Sequence, residues 1–188
     1  KQFNMRKNQT LKIIRYILIL AFVNQCKQIP NTQLAEHLNE ERAWAWQKQH
    51  GWLVGTNFNP SSAVNQLEFW QEDTFDPQTI DRELEWSAEL GMNSHRVYLH
   101  NLLWEQDSLG FLKRLDTYLD MSYNKGIKTL FVFLDDVWHP VPKLGKQPEP
   151  IPFVHNSGWV QAPGAAILGD SLRHYELENY IKGVLNHF

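Results

Sequence analysis

From Trp52 onward, apolar runs of strand length alternate with segments of helical period, and Gly, Pro or Asp stands at most of the changeovers. Residues 52–58 form a compact apolar run stopped by Asn59 and Pro60, a pattern expected of a strand buried on both faces. Asp76 and Pro77 then open a helix in which Ile80, Leu84 and Ala88 share one side, and Gly91 closes it. Residues 94–99 read as a second strand, and residues 109–125 as a second helix with Leu112, Leu115 and Leu119 at helical spacing and Gly126 as its stop. Residues 127–134 are the most strand-like run in the chain and are again expected to be covered on both sides. Strands separated by helices pair in parallel through right-handed crossovers, so the expected class is α/β. Three such strands cannot close a barrel, and the expectation is the opening part of a larger enzyme.

Residues 137–169 carry six of the nine prolines and no clear periodicity, and a connection of that length inside a compact domain is more often functional than idle. Helical spacing resumes over residues 170–187. Ahead of the strands, residues 40–49 are rich in helix formers, with His50 and Gly51 as the stop. Further upstream, Met5, Arg6, Lys7, Lys12 and Arg15 precede an apolar run over residues 16–23, the layout of an export signal too short to span a bilayer. Export would make the protein periplasmic, outer-membrane or extracellular; Cys26 follows where a bacterial lipoprotein carries its lipid, and it is either such a membrane anchor or an incidental cysteine in a peptide that is removed. As the only cysteine it forms no intramolecular disulfide. The expected organisation is a signal with linker over 1–30, linker and helix over 31–50, and a partial α/β domain over 51–188.

Charge excludes one class of partner. The net charge of −3 comes from interspersed residues and gives no footprint for nucleic acid. No Gly-rich phosphate loop follows any strand, which weakens nucleotide binding, and no other cofactor is expected.

In parallel α/β folds ligands meet the C-terminal ends of the strands. Here those ends and their loops carry Asn57, Glu68, Trp70 and Glu72, then Arg96, His100, Asn101, Trp104 and Glu105, then Asp135, Asp136, Trp138, His139, His155, Asn156 and Trp159. Indoles amid amides, imidazoles and carboxylates suit a sugar, whose ring faces stack while its hydroxyls take directional hydrogen bonds. Trp70, Trp104, Trp138 and Trp159 are the expected platforms, although a loop Trp also packs beneath its loop. Alternation turns Ser94, Arg96 and Tyr98 to one side and His95, Val97 and Leu99 to the other. A guanidinium inside an apolar strand needs a partner, and Arg96 is expected to orient a catalytic carboxylate rather than make a purely structural ion pair. Asp135 and Asp136, being adjacent on a strand, cannot both face one substrate. His100, His139 and His155 lack metal-ligand spacing, so no metal is expected.

The runs Gly51-Trp52-Leu53-Val54-Gly55-Thr56-Asn57-Phe58, Thr74-Phe75-Asp76-Pro77 with Ile80-Asp81-Arg82-Glu83-Leu84, and Leu90-Gly91-Met92-Asn93-Ser94-His95-Arg96-Val97 together resemble the opening of a clan A (β/α)₈ glycoside hydrolase of the cellulase-like family 5 group. The resemblance covers about residues 40–188. It implies about three βα units of a (β/α)₈ (TIM) barrel, cut before strand four, from a retaining hydrolase of β-linked polysaccharides or oligosaccharides. It also implies two catalytic glutamates beyond Phe188, a supporting Arg96, and a cleft lined by residues matching Asn57, His100, Asp135 and Trp138. Ser94-His95 and Asp135-Asp136 depart from the common family pattern. A non-catalytic carbohydrate-binding protein on the same scaffold is the alternative, and a phosphate-handling barrel isomerase is disfavoured by the Trp-rich loops.

Overall fold

The structure, a computed structural model, describes residues 39–188. The signal-like segment and Cys26 lie outside the described residues. Helix α1 (Glu40–His50) is capped by the Asn39 side chain, which accepts from the Arg42 amide at 2.8 Å, and none of its residues is buried. It belongs to a unit separate from the one formed by Trp52–Phe188.

That second unit is mixed α/β. Its elements run β1 (Gly55–Asn57), α2 (Gln66–Trp70), α3 (Pro77–Glu89), β2 (Ser94–Tyr98), α4 (Asn101–Asn124), β3 (Lys128–Val132), α5 (Ala165–Leu168), a 3₁₀ turn (Ser171–Arg173) and α6 (His174–His187). The three strands form one parallel sheet in the order β1-β2-β3, with Asn57 level with Arg96 and Arg96 level with Leu130. Gly91 and Gly126 end the two crossover helices with φ of 82° and 73°, conformations that a side chain resists.

β1 is shorter than the apolar run that suggested it. Residues 52–54 are held instead by Asn93, whose side chain donates to the Trp52 carbonyl at 2.9 Å and accepts from the Val54 amide at 2.8 Å. Regular pairing starts at Gly55, where a Cβ would lie 1.6 Å from the Ser94 carbonyl oxygen, so only glycine permits this approach.

The expectation of strands covered on both faces is not met among the described residues. Helix α4 packs on α2, α3, α6 and β3, and the core gathers Phe58, Trp70, Leu84, Val97, Tyr118 and Tyr180 among others on that side of the sheet. On the opposite side Asn57, Arg96 and Leu130 are exposed. Every residue of β1 is exposed, and β3 is only half-covered. Apolarity in the runs around β1 and β3 therefore does not report burial on both faces.

Candidate functional site

The bare face of the sheet leads at its C-terminal end into a row of aromatic rings. Tyr98 closes β2 and is buried; half-buried Trp159 meets it edge-on with centroids 5.3 Å apart, half-buried Trp138 meets Trp159 at 5.8 Å, and exposed His155 meets Trp138 at 6.0 Å. Arg96 stands beside the row, its Nη1 donating to the Tyr98 hydroxyl at 2.5 Å and its guanidinium 4.8 Å from the centre of the Tyr98 ring. A shallow depression of about 360 Å³ lined by Leu53, Asn57, Arg96 and Leu130 adjoins it on the sheet. Arg96 is thus exposed rather than enclosed, and its partner among the described residues is an aromatic ring with its hydroxyl, not a carboxylate. The environment expected to demand an ion pair does not arise, because water solvates the guanidinium.

Trp138 is presented by strained backbone. Its φ is 82°, a region that a bulky residue rarely occupies. Short pairings on either side hold it: Asp135 and Ala162 exchange amide-to-carbonyl bonds of 2.5 and 2.7 Å, and the Gln161 amide donates to the His139 carbonyl at 3.0 Å. The Asp135 carboxylate accepts from the Val137 amide at 3.3 Å, making it a turn residue at the foot of the row, while Asp136 is exposed. His139 is exposed, and its ring accepts from the Val141 amide at 3.3 Å.

Three expected substrate contacts are corrected. Trp70 is fully buried, stacked on Phe69 with 4.0 Å between centroids, and its indole N–H donates to the Tyr98 carbonyl at 2.9 Å. It is a core residue because α2 turns it inward. Trp104 is half-buried between α4 and α6, close enough to Gly183 that a methyl group there would overlap its ring. His100 is fully buried: its Nδ1 accepts from the Leu102 amide at 3.2 Å and its Nε2 donates to the Gln161 carbonyl at 2.9 Å. These two bonds fix the neutral Nε2–H form, and burial pulls its pKa down to about 4. The cause in the last two cases is the same. Helix α4 begins at Asn101, capped by His100, and kinks at Asp107 (φ −158°, ψ 78°), so residues expected in a loop lie in a helix.

What positions the row is a set of buried amides that sequence reasoning does not single out. Asn65 Nδ2 donates to Gln147 Oε1 and to the Gly158 carbonyl, at 2.9 and 2.8 Å. Gln66 Nε2 donates to the Val160 carbonyl at 2.8 Å, and Gln71 exchanges two bonds with the Gly145 backbone. These side chains, with His100, tie residues 145–161 onto the segment around α2. Arg114 is buried too, donating from Nε to the Trp70 carbonyl at 2.6 Å while Nη1 lies 3.5 Å from Asp107 Oδ2. An amide-rich stretch beside a proline-rich loop is the signal available in the sequence, but such pairing is visible only in three dimensions.

Among the described residues no group of three His, Cys, Asp or Glu side chains could hold a metal ion, and no helix is long and apolar enough to cross a membrane. Comparison of the chain with protein-family models, with curated proteins and with solved structures gives no match.

Proposed function

We propose that the aromatic row is a saccharide platform, and that the three βα units open a (β/α)₈ barrel of an exported glycoside hydrolase acting on β-linked glycans. The observation that carries this reading is the half-buried pair Trp159 and Trp138, seated on buried Tyr98 at the C-terminal end of β2 and flanked by Arg96 on a sheet face that no helix covers among the described residues. Two neighbouring, partly exposed indoles suit stacking on pyranose rings better than they suit a compact charged ligand. Helices on one face of a parallel sheet and a bare opposite face match the outer and inner sides of a barrel wall. In the retaining mechanism one carboxylic acid protonates the leaving oxygen and a second carboxylate attacks the anomeric carbon. No glutamate stands at the C-terminal end of β1, β2 or β3, so on this reading both come from later strands. Arg96 would then reach across the bare face toward the nucleophile and hold it ionised.

Turnover tests the assignment of roles. The 188-residue chain is expected to release no reducing sugar from β-glucan, mannan or xylan. Release by the chain itself, lost on mutating a glutamate within it, would place the catalytic carboxylates among residues 1–188 and overturn the assignment to later strands.

A further inference from the structure

A second cavity, of about 460 Å³, is lined in part by Trp159 and lies between residues 139–148 and 157–160 of the long connection. Its lining includes Lys143, Lys146 and His139, the apolar Val141 and Leu144, and Trp159 itself; no carboxylate lines it. Neither lysine has an ion-pair partner among the described residues. In a chain with net charge −3 and 21 acidic residues, two unpaired ammonium groups at one cavity set its potential positive. The cavity has a built frame: Gln147 is buried, donates to the Lys143 and Gly145 carbonyls at 2.9 and 2.7 Å, and accepts from Asn65, so both lysines spring from a backbone held in place.

We infer that this cavity is a subsite for a carboxylated sugar, a uronic acid carried as a side group on the glycan whose main chain lies along the aromatic row. The inference deepens the saccharide reading above and depends on it. Trp159 is the link, because one indole lines the cavity and also stands between Tyr98 and Trp138 in the row. A main chain on the row therefore places a branch at the mouth of the cavity, where the lysines meet the carboxylate and the apolar lining meets the sugar ring. An uncharged branch gains the second contact only.

The probes are a xylo-oligosaccharide bearing one glucuronate side group, the same oligosaccharide with that carboxyl reduced to the alcohol, and free glucuronate, each titrated into the full chain by tryptophan fluorescence. The acidic oligosaccharide is expected to bind about tenfold more tightly than the reduced one. That preference should vanish in the Lys143→Gln/Lys146→Gln double variant and shrink in high salt. The lysine side chains are exposed, so the variant is expected to keep its fold, checked by circular dichroism. Equal affinity for the acidic and reduced oligosaccharides overturns the uronate subsite and leaves the platform standing. Free glucuronate binding as tightly as the acidic oligosaccharide overturns the link through Trp159. Failure of every oligosaccharide to bind overturns the platform together with the subsite.

Discussion

Trp138 occupies backbone geometry that favours glycine, at a cost of roughly 1–3 kcal/mol, and the pairings at Asp135 and His139 enforce it. That cost gives a sign test. At ordinary positions alanine is more stable than glycine, but at φ 82° the order reverses, so Trp138→Gly should be more stable than Trp138→Ala by about 1 kcal/mol in urea denaturation. The reverse order would show that residue 138 has relaxed backbone. His100 gives a test in pH. Its folded pKa of about 4 lies below the ordinary 6.5, so the neutral form is the one the fold accepts. Its stabilisation is complete above pH 6.5, declines as pH falls, and is gone below pH 4, an effect of about 3 kcal/mol. Buried His95 shifts in the same direction for the same reason. Unfolding free energies measured across this window should fall more steeply for the native chain than for His100→Gln; parallel curves would mean that His100 titrates freely.

At the scale of elements, the punctuation was the legible part. Asp76, Pro77, Gly91 and Gly126 mark helix ends because their preferences are local, and α3, β2 and β3 lie where those signals put them. Helix α4 was half legible: its first turns carry Asn101, Trp104 and Glu105, which read equally as a ligand loop, and the cap that starts it is a histidine ring. The same ambiguity misplaced Trp70 and Trp104, since indole type is identical in a core and on a platform and only burial separates them. Trp138 and Trp159 read as loop residues and are brought together by a connection whose fixings, Asn65, Gln66 and Gln147, act across long sequence distances. Packing of α6 on Trp104 can be tested at Gly183. Glycine to alanine inside a helix normally stabilises by up to about 1 kcal/mol, but here the added methyl meets the indole. Gly183→Ala should therefore lose about 1–3 kcal/mol, and a gain in its unfolding free energy would remove Trp104 from that interface.

The whole of residues 52–188 is arranged around one asymmetry. Core, helices and buried amides lie on one side of the sheet or bind the long connection, while Asn57, Arg96 and Leu130 stand bare beside the aromatic row. Two-sided burial was the wrong expectation for these strands because an apolar run records side-chain type and not how much of the fold is on hand to cover it. The polar groups of the bare face and the indoles of the row lie side by side, and it is this neighbourhood that the proposed saccharide platform rests on. The most direct measurement is a fluorescence titration of dilute protein with neutral β-linked hexasaccharides, run on the native chain and on Trp138→Ala, Trp159→Ala and Trp104→Ala. Saturable binding that weakens by about tenfold or more in the Trp138 and Trp159 variants, and is kept in folded Trp104→Ala, is the predicted result. Binding that ignores Trp138 and Trp159, or no binding at all, would contradict the platform.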